Sequence, residues 1–264
     1  SALKVHTTGE RNTVIGTSAM ADTDAGSTSL GSVDNVFVGH EAGGGTWANN
    51  ASNYNIGIGT GAMKGALNGA LNNTAIGYTA LTGLTGGDYN TSIGSHSMTA
   101  LTTGEANIGL GVNSLTAHTT GDRNIAIGNN AMYDTNAGST SLDSNDNIFI
   151  GYTAGGGTWA DAASTGNVGI GNYVMDAAMN GALYNSALGH NALTSLTEGD
   201  YNTAVGYQAA LNNTSGTGNV AIGYQANYTN TTSGTNVVIG YVAGYTSTSN
   251  DATWIGANAN KLGT

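Results

Sequence analysis

The chain has no cysteine and no proline, and it is poor in charge. Only 8% of its 264 residues are Asp, Glu, Lys or Arg, against roughly 25% in an ordinary globular domain. Lys plus Arg number 5 and Asp plus Glu 16, a formal net charge of −11. The missing cysteine removes disulfides and thiol chemistry but fixes no compartment. The shortage of basic residues excludes a nucleic-acid footprint, which needs a positive face, and a polybasic membrane contact. No apolar run approaches the roughly 20 residues of a membrane helix. Residues 1–10, SALKVHTTGE, lack the apolar stretch of about 7–15 residues that a signal peptide carries. The sequence reads as an excised or processed piece of something longer. Apolar content is 39%, much of it Ala, and Gly is 43 of 264. That composition suits a thin, regularly stacked core.

What is present is repetition, which must be settled before any motif search. Residues 202–210, NTAVGYQAA, return as NVAIGYQAN at 219–227 and as NVVIGYVAG at 236–244. Upstream copies include NTAIGYTAL at 73–81 and NIAIGNNAM at 124–132. The leading Asn stands at Asn12, Asn35, Asn55, Asn73, Asn90, Asn107, Asn124, Asn147, Asn167, Asn185, Asn202, Asn219 and Asn236, and Ala252 takes its place in a last copy. The steps run 23, 20, 18, 17, 17, 17 and then repeat, so a super-repeat of 112 residues overlies the short one. AGSTSL, AGGGTWA and GDYNT each recur at that offset. This divides the chain into 1–123, 124–235 and a terminal or capping part, 236–264.

The residues after Asn alternate with a period of two and favour β-branched types, which is a strand signal. The third residue after Asn (Ile76, Ile127 and Ile222 among others) is expected to face the interior. The second (Val14, Phe37, Gly57, Ala75 and so on) is expected to form a flat, mostly small stripe for packing between chains, unless a single roll buries both faces. The Gly that follows marks a bend or a close approach. A second short strand is expected around Ala19, Ala42, Ala62 and Ala80. The rest of each coil is turn chemistry. The fold class is therefore all-β: a parallel β-solenoid of about 14 rungs, about 4.8 Å apart and on the order of 65 Å long. Asn73, Asn90, Asn107, Asn124, Asn202 and Asn219 would stack into a hydrogen-bonded ladder at a turn.

NTAIGYTAL and its relatives resemble the head repeats of trimeric autotransporter adhesins, and still more the repeats of phage tail-fibre proteins. The resemblance covers nearly the whole chain. It implies a left-handed parallel β-roll and a homotrimeric fibre. The coils here are longer and less uniform than those of the adhesins.

The long coils carry the irregular residues. Asp22, Asp24, Asp134 and Asn136 look like the start of a calcium loop, but the further oxygen ligands and the distant Glu of an EF-hand are missing; a turn-forming cluster is the competing reading. GGGTW occurs at 43–47 and 155–159. Trp47 and Trp159 suit either sugar stacking, with Asn49, Asn50 and Asp161 as polar partners, or a lid over the neighbouring rung. Tyr78, Tyr152, Tyr207, Tyr224 and Tyr241 share one column, the last three in consecutive rungs, and are expected to stack for structural reasons. Gly57, Gly59 and Ala62 match a dinucleotide fingerprint without the helix it requires.

These readings point to a non-enzymatic structural fibre, extracellular or on a virion surface, that reaches and binds a host-surface polysaccharide or protein through its longer loops. No cofactor, nucleic acid or membrane insertion is expected. The alternatives are a self-assembling filament or bacterial surface adhesin without a specific site, and a polysaccharide-degrading solenoid enzyme. An ice-binding face is rejected, because the position after Asn mixes Thr13 and Thr74 with Ile56 and Ile108.

Overall fold

The computed structural model describes residues 9–21, 31–47, 50–135, 143–159, 162–246 and 248–259. It is an all-β parallel solenoid with no helix among the described residues. The chain divides into two compact units, residues 1–129 and 130–264. The first carries β1 (Thr13–Ile15), β2 (Val36–Val38), β3 (Ile56–Ile58), β4 (Thr74–Ile76), β5 (Thr91–Ile93), β6 (Ile108–Leu110) and β7 (Ile125–Ile127). The second carries β8 (Ile148–Ile150), β9 (Val168–Ile170), β10 (Ser186–Leu188), β11 (Thr203–Val205), β12 (Val220–Ile222), β13 (Val237–Ile239) and β14 (Thr253–Ile255).

Within each unit the strands pair in parallel and in sequence order, with like positions opposite one another. Ala75 lies against Ser92, Ser92 against Gly109 and Gly109 against Ala126. A one-rung step therefore places each side chain on its own counterpart, as a repeat with fixed spacing demands.

The alternation is present, but its phase is the reverse of the sequence expectation. The second residue after Asn is buried in β2 to β7 and in β8 to β13. The first and third are half-exposed or exposed: Ile76 and Ile222 each keep 37% of their surface, and Ile127 is half-buried. The cause is the asparagine. Asn35 to Asn124 and Asn147 to Asn236 are buried at every step of the repeat, so the residue two places on shares their inward face.

The interior asparagines form the ladder. Asn90 donates its backbone N–H to Asn73 Oδ1 at 2.9 Å and its Nδ2 to the same oxygen at 3.0 Å. A second Nδ2 bond reaches the Gly104 carbonyl at 2.8 Å. The same triplet recurs at Asn107 and Asn202. Each carboxamide so satisfies its own polar atoms and a backbone donor in a place water does not reach.

The Gly four places after Asn closes the bend. Its φ lies between 121° and 145° at every copy. A Cβ added at Gly94 would stand 2.2 Å from the Gly111 carbonyl oxygen, and one at Gly77 2.4 Å from that of Gly94. Both the conformation and the spacing require glycine. The expected second strand is absent, because left-handed residues interrupt it, such as Thr79 (φ 51°) and Leu81 (φ 55°). That segment is a stack of turns whose small residue, Ala19, Ala42, Ala62 or Ala80, is fully buried.

Core volume is conserved between rungs. Most rungs combine a small strand residue with Met63, Leu81, Met98 or their equivalents, all buried. Where Phe37 enters, glycine replaces the neighbours. A Cβ at Gly43 or Gly57 would meet the Phe37 ring at 2.8 or 2.5 Å. Phe149 stands in the same relation to Gly155 and Gly169.

Two substitutions test this arrangement by thermal unfolding. Ala126→Asp places an unpaired charge in the thin core and should cost more than about 3 kcal/mol. Gly94→Ala should cost about 2–4 kcal/mol through backbone strain and overlap with the next rung. An unchanged melting temperature in Ala126→Asp would reject the inward phase assigned here.

Candidate functional site

The tryptophans singled out from the GGGTW segments are not sugar platforms. Trp47 and Trp159 are fully buried. Each meets a phenylalanine edge-on, Phe37 and Phe149 respectively, with ring centroids 5.9 Å apart in both units. Trp159 Nε1 donates to the Gly155 carbonyl at 3.1 Å. These excursions carry an indole inward to fill the space beside Phe, which leaves no ring face for a ligand. Asn50 is exposed, and its backbone N–H donates to Asn68 Oδ1 at 3.1 Å. Asn49 and Asp161 lie outside the described residues.

Asp22, Asp24 and Asn136 also lie outside the described residues. Asp134 accepts a hydrogen bond from Thr158 Oγ1 at 2.8 Å, and its carbonyl accepts the Trp159 N–H at 2.9 Å. It therefore anchors the end of the Trp159 excursion. No group of three or more metal-ligating side chains occurs among the described residues.

Two surface features stand out instead. The first is the outer face of the strands. The third residue after Asn is Ile, Val or Leu in all fourteen strands. Exposure there is 61% at Ile15, 40% at Ile93 and 50% at Leu188. The first residue, Thr, Val, Ile or Ser, lies beside it and is half-buried in most rungs. Each unit thus presents a flat strip of two columns, one of them wholly apolar.

The second is a row of rings in the unit of residues 130–264. Tyr152 meets Tyr173 at 5.3 Å, Tyr173 meets His190 at 5.6 Å and His190 meets Tyr207 at 5.6 Å. Tyr207, Tyr224 and Tyr241 then stack nearly parallel, at 5.4 and 5.1 Å. All five tyrosines are exposed by 37–59%. In the other unit, Tyr78 of that column meets His96, which stands one place beyond the column, at 5.1 Å. Tyr184–Tyr201 and Tyr228–Tyr245 stack elsewhere on the coil.

Two ionisable groups sit in unusual places. His118 occupies an interior column that elsewhere holds Leu84 and Leu101. Burial pushes its imidazole down to about 4, against a hydrogen bond to the Gly121 backbone that acts the other way. Its Nε2 lies 3.1 Å from Asn124 Nδ2, so the neutral ring accepts that bond. Asp176 is half-buried, and desolvation raises it to about 6 although the Gly156 backbone donates to it. The shortest ion pairs among the described residues join Arg11 to Asp34 at 2.7 Å and Lys64 to Glu41 at 2.6 Å, each holding its carboxylate below the usual value chiefly through the hydrogen bond. No helix of the described residues is long and apolar enough to cross a membrane.

Comparison with protein-family models, with curated proteins and with solved structures finds no match for this chain.

The two ionisable groups, His118 buried and Asp176 half-buried, give opposite pH dependences. His118 binds a proton more weakly folded than unfolded, so stability is full above about pH 6.5 and falls as pH drops toward 4. The slope is about 1.4 kcal/mol per pH unit. His118→Asn, which copies Asn230 at the equivalent position, should flatten that slope in denaturant titrations between those pH values. Asp176 binds its proton more tightly folded, so its contribution is lost as pH rises through about 6. Asp176→Asn should raise the melting temperature at pH 7 and leave it unchanged at pH 4.

Proposed function

We propose that the chain is a non-catalytic section of a surface fibre, extracellular or on a virion, in which copies associate through the outer face of the strands. The observation that carries this reading is the unbroken outward column of Ile, Val and Leu at the third position after Asn, exposed or half-buried in every strand. Seven three-residue strands about 4.8 Å apart make a strip of roughly 340 Å² per unit. The outer column of that strip is wholly apolar along its length, and a contiguous apolar surface of this kind marks an interaction site.

The occupant is a further copy of the same chain. A partner must offer apolar side chains at the same short, repeated spacing over many rungs, and a second copy does so automatically. β-Branched side chains on a flat sheet lose little rotamer freedom on contact, and the rungs behind them are already fixed. Three copies are expected, as the resemblance to fibre and adhesin repeats implies. The surface contact thus lies on the Ile column, and the small-residue stripe first expected to mediate it is the core.

Light scattering on the eluting peak of a size-exclusion column tests the proposal. The expected mass is near three times 26.3 kDa. Ile127→Asp combined with Ile222→Asp should return the mass to that of one chain and leave the circular dichroism spectrum unchanged, because both side chains point outward. A wild-type chain that runs as a monomer at all concentrations would rule the association out.

A further inference from the structure

We propose that the row Tyr152, Tyr173, His190, Tyr207, Tyr224 and Tyr241 is a binding track for an uncharged, extended, β-linked polysaccharide. This goes beyond the association described above and does not depend on the number of copies.

The coil does not need these rings. At the offset of 112 residues, the first unit places Ser95, Val112 and Asn129 where the second has Tyr207, Tyr224 and Tyr241. The backbone is the same in both. Asn113 N–H donates to the Ser95 carbonyl at 3.0 Å, and Gln225 N–H donates to the Tyr207 carbonyl at 2.9 Å. Stacking for rung stability is therefore not what the tyrosines supply, because equivalent rungs form with a hydroxymethyl, an isopropyl or a carboxamide group in their place.

The geometry of the rings suits the flat faces of sugars. Tyr207, Tyr224 and Tyr241 lie within 13° of parallel, with centroids 5.1–5.4 Å apart. Carbon atoms in contact stand about 3.5–4.0 Å apart, so near-parallel rings at that separation must be slipped past one another. Like overlapping tiles, each leaves part of one face open, in keeping with exposures of 43%, 41% and 59%. The repeat along the row is close to the length of one pyranose in an extended β-linked chain, so successive sugars can meet successive rings.

The surroundings select against charge. The row holds no carboxylate, ammonium or guanidinium group, and the chain's net charge of −11 repels polyanions. Gln225 Nε2 donates to Gln208 Oε1 at 2.7 Å beside the stacked rings. The Gln208 amide N–H₂ and the Gln225 amide oxygen remain to meet sugar hydroxyls. The track is also held in place beforehand by rung-to-rung backbone bonds, including Tyr173 N–H to the Tyr152 carbonyl and Val242 N–H to the Tyr224 carbonyl. Little ordering cost then falls on binding.

Affinity electrophoresis of the full chain tests the proposal, with soluble xyloglucan and galactomannan as neutral β-linked polymers, dextran as a neutral polymer of different linkage and alginate as a polyanion. The expected result is retardation by xyloglucan or galactomannan and none by alginate or dextran. The variant Tyr207→Ser/Tyr224→Val/Tyr241→Asn, which copies the first unit, should weaken that retardation at least about tenfold, with the melting temperature and solution mass of the parent. The proposal is overturned by any of three results: no retardation by either β-linked polymer, retardation that survives the triple variant, or a changed solution mass in that variant. The last would assign the row to contact between copies of the chain.

Discussion

Everything in this structure depends on how closely one rung lies on the next. At the bend after each strand, only glycine fits between a backbone and the carbonyl of the following rung, as the 2.2 Å approach at Gly94 shows. That contact fixes the spacing. The spacing in turn brings each buried asparagine within reach of its counterpart and each Tyr207-type ring within reach of the next. A thin interior, with a few Met, Leu or aromatic side chains among Ala, Ser and Gly, suffices because hydrogen bonds between rungs and close contact add cohesion. The low charge and high glycine content follow from the same constraint.

Much of this was legible in the sequence. The interval between asparagines gave the parallel order and the register of the strands that follow them, because a residue column is a statement about stacking; the second strand expected in each coil did not form. The phase of the alternation was not legible from apolar character, since both readings place β-branched residues on one face. The deciding signal was available in the second column. It mixes Phe37 with Gly57 and Phe149 with Gly169, and such compensation of large by small is a mark of confined volume. A wholly branched column has no such constraint and suits an open face. The asparagine also carried the answer: it lies inward, so the residue two places on lies inward with it.

The long coils taught a similar lesson. GGGTW interrupts a regular pattern, which left both sugar stacking and a lid over the neighbouring rung open. In the fold it repairs the pattern: its first glycine makes room for Phe37, and its indole packs against that ring. The candidate binding surface lies instead on the most regular rungs, where it is the choice among Tyr, Ser, Val and Asn at a permissive outer position that varies. Repetition makes such a choice cheap in structural terms, because the backbone is indifferent to it.

The asparagine column has an electrical consequence. In each unit every carboxamide oxygen accepts from the rung that follows it, never from the one before. The side-chain dipoles therefore point one way and add, as peptide dipoles do along a helix, whereas the backbone bonds between rungs run in both senses. A stack with identical rungs is thus not symmetric end to end. It carries a donor-rich head and an acceptor-rich tail, and each amide is polarised by those on either side. In the second unit the line stops at Ala252, whose backbone N–H donates the last link to Asn236 Oδ1 but which has no carboxamide to hand on. The coil is in this sense a one-way conductor of polarity with a built-in terminus, one rung short of its final strand.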